Sequence, residues 1–247
     1  MRRFFVPANA ISGSEAELPR ELARRLHTVL RLKPGDRIVL ADGSGLDREA
    51  ELTALSARAA TARVVGERRS PPEPSVELVL YQSLIRPQRF DLVLEKGTEL
   101  GVARFVPLLA GRGQVKAPGG EKRPERWRRI VTEAAEQCER GRVPDVGAPV
   151  ALESAVASAP GLKLLPWEEE FASGGRGLTA CLRSLEAPPA AVSLFIGPEG
   201  GFAPEEVGRA REAGCVSVSL GERVLRSETA GIVAVALVMG ELGELGA

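Results

Sequence analysis

Beyond residue 75 the apolar positions follow two rhythms in alternation. Short continuous runs at residues 76–84, 104–109, 162–165, 191–196 and 216–220 have the length and composition of buried strands. Helical spacings stand between them. Residues 87–100 place Phe90, Val93, Leu94 and Gly97 on one face and close at Gly101. From Pro124, Trp127, Ile130, Val131, Ala134, Ala135 and Cys138 recur at helical intervals, with Arg126, Arg129, Glu133, Glu136 and Arg140 opposite. Further helices are expected at residues 178–185, 204–213 and 228–242. Strand and helix in alternation predict an α/β domain with a largely parallel sheet.

The first 70 residues read differently. Strands are predicted at residues 2–6 and 37–40, the second opening from the Lys33-Pro34-Gly35-Asp36 turn and followed by a hairpin at Asp42-Gly43-Ser44-Gly45. Leu18, Leu22, Leu26 and Leu30 predict one helix, with Pro19 in its first turn. Short strands closed by tight turns suggest a small β-barrel. Three prolines in residues 71–74 can neither continue a helix nor enter a central strand, so they divide the chain into domains 1–70 and 71–247.

Charge sharpens this picture. The net charge is zero, yet residues 1–70 and 86–145 each carry 13 basic against 9 acidic side chains, and residues 146–247 carry 7 against 13. The densest basic stretch runs from Arg112 to Arg129. Such patches suit phosphate contact, although a solvated helix face gives the same pattern. No apolar run reaches membrane-spanning length, and the start lacks the features of a signal peptide. Cys138, Cys181 and Cys215 are odd in number and outside metal-ligand spacing, which points to a reduced, cytoplasmic protein.

The candidate chemistry lies in two loops, each following an expected strand. One is Gly197-Pro198-Glu199-Gly200-Gly201-Phe202 and the other Leu220-Gly221-Glu222-Arg223-Val224-Leu225-Arg226-Ser227-Glu228-Thr229-Ala230. Open α/β sheets bind ligands at the carboxyl ends of their strands. Two such loops on neighbouring strands could enclose one small molecule, though each alone is also a plain strand-to-helix turn. Dinucleotide and P-loop fingerprints are absent, and His27 is the sole histidine. A histidine triad or a metal site is therefore not expected in the second domain. Methyl transfer from S-adenosylmethionine needs neither, and a pure binding module needs no catalytic group at all.

These loops resemble the paired signatures of the RsmE family, SPOUT-class methyltransferases that act on N3 of a uridine in 16S ribosomal RNA. Three further stretches extend the resemblance along nearly the whole chain: Arg2-Arg3-Phe4-Phe5-Val6 with the segment from His27 to Asp36, then Lys96-Gly97-Thr98-Glu99-Leu100-Gly101-Val102, then Glu133-Ala134-Ala135-Glu136-Gln137-Cys138. Glu95 stands where the family usually has glutamine, and residues 108–113 lack its Arg-Ser pair. The resemblance implies an N-terminal PUA-like RNA-binding β-barrel and a C-terminal SPOUT α/β domain with a trefoil knot, dimerising through the knotted domain.

It also implies S-adenosylmethionine held by Leu165, Pro166, Trp167, Ile196, Gly197, Pro198, Glu199, Gly200, Gly201, Leu220, Gly221, Leu225, Ser227, Thr229 and Ala230. Uracil N3 must lose a proton, so a cation should favour the resulting anion; Arg226 is the candidate, with Glu228 or Glu199 to accept the proton or orient it. Glu228 could equally be a helix-start carboxylate. Arg2, Arg3, Arg31, Lys33, Arg89, Lys96, Arg112, Lys116, Arg126 and Arg129 are the expected RNA contacts. A ribose 2′-O-methyltransferase and a non-catalytic assembly factor are the alternatives.

Overall fold

The computed structural model describes residues 1–113 and 122–246. Its chain divides into two compact units, Met1–Glu73 with Thr132–Val143, and Pro74–Val131 with Pro144–Ala247.

The first unit is a six-stranded sheet in the order β1-β4-β5-β6-β3-β2. Its strands are β1 (Arg2–Phe5), β2 (Ile11–Ser12), β3 (Glu15–Leu18), β4 (Arg37–Ala41), β5 (Leu46–Leu55) and β6 (Ala60–Arg69). β1 runs parallel to β4, and the other pairs are antiparallel. Alternation along the strands points Phe4, Ile38, Leu40 and Leu52 into one core. The expected hairpin joins β4 to β5, with positive φ at Gly43 and Gly45.

The expected leucine helix is shorter and less regular. Leu18 ends β3, Pro19 is the N-cap, α1 covers only Arg20–Arg24, and Arg25–Val29 form a π-helical turn. That wider turn keeps Leu26 fully buried and leaves Val29 exposed. β2 and β3 were not anticipated, although Glu15, Ala16, Glu17 and Leu18 do alternate out and in.

Two sequence-based assignments are corrected in this unit. Arg3 was expected at RNA, but it is buried and bonds the carboxylate of Asp47 and the Arg140 carbonyl. Asp47 also accepts from Ser70 Oγ at 2.6 Å. A guanidinium so enclosed presents no charge to solvent. Glu136 was placed on the polar face of its helix, yet it is buried in this unit. It takes Arg25 at 2.7 Å and the Phe5 amide at 3.2 Å.

The second unit carries β7 (Glu77–Ser83), α2 (Pro87–Glu99), β8 (Arg104–Leu109), α3 (Lys122–Gln137), β9 (Asp145–Val146), β10 (Val150–Ala151), α4 (Leu152–Ser158), β11 (Leu162–Pro166), α5 (Glu169–Ala172), α6 (Leu178–Arg183), β12 (Ala191–Ile196), α7 (Pro204–Glu212), β13 (Val216–Val218) and α8 (Ser227–Glu241). The last residues of α3 count with the first unit. The strands pair in parallel in the order β10-β8-β7-β12-β11-β13, with β9 beside β8. A sheet covered on both faces needs continuous apolar strands, and β7, β8 and β12 are buried almost throughout. β9, β10, α4 and α5 are too short to leave a readable period.

Candidate active site

The two glycine loops do not follow neighbouring strands, as the sequence suggested. β11 lies between β12 and β13, and its own carboxyl-terminal loop fills the gap. Loops from three adjacent strands thus surround one cavity at the carboxyl end of the sheet. Pro166, Trp167 and Glu168 come from the first, Ile196 to Glu199 with Gly201 and Phe202 from the second, and Leu220 to Leu225 from the third. Ser227 and Ala230 of α8 complete the lining.

Local backbone chemistry shapes these walls. The Trp167 amide bonds the Val218 carbonyl at 3.0 Å, fastening the first loop to β13. Gly201 has φ +67° and its amide closes a turn onto the Pro198 carbonyl at 3.0 Å; a Cβ there would meet Glu168 Oε1 at 1.9 Å. Glu206 accepts from the Ala203 and Gly111 amides, both at 2.8 Å, which fixes the exit of the same loop. Gly221 adopts φ +110° and donates to Ser219 Oγ at 3.0 Å. Ser227 at the start of α8 donates to the Gly197 carbonyl and accepts from Gln82 Nε2 at 2.9 Å. One hydroxyl therefore links β7, the Gly197 loop and α8.

Most residues expected to hold a cofactor lie on this wall. Leu165 does not, since it is buried in the core behind it; Gly200 faces Arg112 instead, and Thr229 points to solvent. Glu168, Phe202, Glu222, Arg223 and Val224 line the cavity and were missed, although Phe202 and residues 222–224 belong to the motifs that marked the loops.

The charged groups are arranged differently from the sequence reading. Arg226 is exposed, and its guanidinium has no ion-pair or hydrogen-bond partner among the described residues; its carbonyl accepts from the Ala230 amide at 2.8 Å. Glu228 and Glu199 both turn to Arg89, at 3.4 and 3.8 Å, and neither orients Arg226. Glu228 stands in the first turn of α8, where the helix dipole favours a carboxylate. Four buried polar atoms here lack partners among the described residues: Glu228 Oε2, Gln82 Oε1, Ser83 Oγ and, on the cavity wall, Trp167 Nε1. Such groups are rare in finished cores. No group of three or more metal-ligating side chains occurs among the described residues. Burial pushes the Cys215 thiol up to about 11, which keeps it protonated at neutral pH.

The chain matches the RNA methyltransferase domain family over residues 71–239 and the RNA methyltransferase PUA domain over residues 26–65. It is 33% identical over 245 residues to the ribosomal RNA small subunit methyltransferase E of Mycobacterium bovis, covering 95% of this chain and 90% of that one. The chain belongs to the RsmE family. A relative of the same name from Synechocystis is 36% identical over 86% of this chain and 69% of its own length. Among solved structures, a Legionella pneumophila protein in complex with the bound cofactor SAM superposes with a TM-score of 0.88 at 31% identity, over 96% of each chain. The Neisseria gonorrhoeae ribosomal RNA small subunit methyltransferase E bound to S-adenosyl methionine gives 0.85 at 33%, over 97% of each. The fold is therefore that of the RsmE family, a PUA-like domain joined to a SPOUT-class α/β domain.

Within this RsmE-family chain, the expected RNA contacts fall into three groups. Arg2, Arg31, Lys33, Arg112 and Arg129 are exposed. Arg89, Lys96 and Arg126 already face carboxylates: Arg89 as above, Lys96 with Glu95 and Glu99 at 2.8 Å each, and Arg126 with Asp91. These pairs hold the Lys96 and Arg126 cations more firmly protonated than usual. Arg3 is buried. Lys116 lies outside the described residues. Arg31 has φ +53°, a left-handed conformation uncommon for a side-chain-bearing residue, just past Leu30, the C-cap of the π-helical turn that carries exposed His27 and Val29.

Proposed function

We propose that this protein transfers the methyl group of S-adenosylmethionine to N3 of a specific uridine in 16S ribosomal RNA of the small ribosomal subunit. The observation that carries the reading is the cavity at the ends of β11, β12 and β13, built from the motifs shared with the family.

Its residues suit the cofactor chemically. Ile196, Phe202, Leu220 and Leu225 offer apolar walls to an adenine ring, and the glycines expose backbone to its edges. The Trp167 indole N–H is a buried donor with no acceptor among the described residues. Glu168, Glu199 and Glu222 suit a molecule bearing sulfonium and ammonium charges, and Arg223 suits its carboxylate. When bound, S-adenosylmethionine supplies a methyl group already activated on sulfur.

The chain then has to position the base and favour its deprotonated form. Arg226, an uncommitted cation beside the cavity loop, stabilises the anion spread over O2 and O4. Glu199 lines the cavity and is more exposed than Glu228, at 22% against 9% of the side chain, so it is the better placed proton acceptor. Glu228 acts one step back, by sharing Arg89 with Glu199. Arg2, Arg31, Lys33, Arg112 and Arg129 hold RNA phosphates.

A trefoil knot in the second unit is supported by membership of the RsmE family. A homodimer through this unit is supported by α8, whose Ile232, Val233, Ala236 and Leu237 remain half-buried in one chain. Small-subunit ribosomal RNA as the substrate supports a cytoplasmic site of action. No helix among the described residues is long and apolar enough to cross a membrane.

The test is to incubate the protein with methyl-labelled S-adenosylmethionine and small subunits lacking the modification, then digest the RNA. Labelled 3-methyluridine at one site is expected. A labelled 2′-O-methyl nucleoside would keep the cofactor and overturn the target atom. Absence of both label and cofactor binding would overturn the enzyme reading.

A further inference from the structure

A second cavity, of about 650 Å³, opens in the same unit between the start of α2 and the first turns of α3. Leu84, Ile85, Pro87, Phe90 and Trp127 wall it, and most of its accessible surface is apolar. The Phe90 and Trp127 rings meet at 5.0 Å between centroids and form the aromatic side of the wall. Nothing in the cofactor reading uses this space.

The rim has the opposite character. Arg126 and Asp91 pair across it, and Arg123 adds a cation with no carboxylate at ion-pair distance among the described residues. Arg123 also stands in the first turn of α3, where the helix dipole disfavours positive charge. Exposed Arg86, Arg128 and Arg129 surround the same elements. An apolar, partly aromatic chamber entered past arginines matches a molecule that is flat and apolar in one part and anionic in the next. An uncharged apolar molecule would fit the walls and leave the cations unanswered, and a lipid chain would not use the flat aromatic side; a nucleotide of an RNA strand answers both.

We propose that this cavity holds a nucleobase of the RNA substrate other than the target uridine, with Arg123 on its phosphate. The proposal rests on RNA being the substrate and deepens that reading: one strand is anchored at a base-binding chamber distinct from the cofactor cavity. The Arg126–Asp91 pair lies at the entrance, and its charged edges are available to the polar rim of the base.

The chain has two tryptophans, so Trp167→Phe leaves Trp127 as the single tryptophan reporter. Titrating this variant with single-stranded hexauridylate should quench Trp127 emission saturably as a base enters. Arg123→Glu in the same background should remove the quench and weaken binding about tenfold more than Arg209→Glu, which makes the same charge change on exposed α7, outside both cavities. Trp127 emission that stays unchanged while RNA binds normally would overturn the base site and leave the methyltransferase reading intact. Equal losses from both charge reversals would do the same. Emission that changes with protein concentration alone would assign the cavity to a second copy of this chain. Failure to bind either hexauridylate or small subunits would overturn both readings.

Discussion

Two arginine-carboxylate clusters in this molecule use the same groups to opposite ends. In the first unit Arg3, Asp47 and Ser70 form a buried knot of bonds in which both carboxylate oxygens are used and only Arg3 Nε lacks a partner. In the second unit Arg89 divides itself between Glu199 and Glu228 at longer distances, Glu228 keeps one buried oxygen unpartnered, and Arg226 stands free. The first arrangement is nearly saturated and leaves little to offer a ligand. The second holds unmet donors and acceptors beside a cavity, the condition expected where a ligand completes the bonding. Saturation, more than charge, separates the structural cluster from the functional one.

The contrast is sharpest under substitution. Asp47→Ala strands the Arg3 cation in the core, so a loss of about 3–5 kcal/mol is expected in urea unfolding. A loss under 1 kcal/mol would mean that the knot is not the brace its burial implies. Arg226→Ala should leave the unfolding midpoint in place and lower kcat for methylation about 100- to 1000-fold, with cofactor affinity little changed. An equal fall in cofactor affinity would make Arg226 a wall of the cavity instead. Arg89→Ala sits between these extremes: it frees two carboxylates at once and should raise the KM for S-adenosylmethionine about tenfold, with Arg89→Lys recovering part of it. No recovery by lysine, together with a lowered midpoint, would place Arg89 with the structural cluster.

Much of this could be read from the chain. The β12 run at Ala191–Ile196, the apolar face of α2 and both cavity loops depend on local periodicity or on local glycine chemistry, and both leave their mark in a short window. Local pattern carries nothing about a residue whose role depends on distant sequence. Arg3 looked like a terminal phosphate contact because its carboxylate is 44 residues away, and Glu136 looked solvated because the cation that buries it is 111 residues away. Helical periodicity gives a helix one apolar face; it does not register that the other face is covered by a separate part of the chain. The loop after β11 was found only through family likeness, since Pro166-Trp167 carries no motif of its own. The place of β11 between the other two strands is a property of sheet order, which no local pattern encodes.

Glu136 offers the smallest and cleanest test of the contrast, because its cluster is saturated yet still titrates. Burial raises its carboxyl pKa above the ordinary 4.5, with Arg25 and the Phe5 amide opposing the rise. The folded protein therefore holds this proton to a higher pH than the unfolded chain does. Across the window from about 4.5 up to the raised native value, the native state binds more protons, so this group's contribution to stability falls as pH rises and then levels off. Glu136→Gln keeps an acceptor for the Phe5 amide and removes the titration. The difference between wild-type and variant unfolding free energies should thus slope across that window and be flat above it. The remaining cost at neutral pH should stay within about 1 kcal/mol, since Arg25 is partly exposed and its pairing is screened. Methylation should be unaffected throughout. A difference that does not vary with pH would show that Glu136 ionises as it does in the unfolded chain, and a variant that folds normally but loses methylation would move this buried carboxylate from the structural side of the comparison to the functional one.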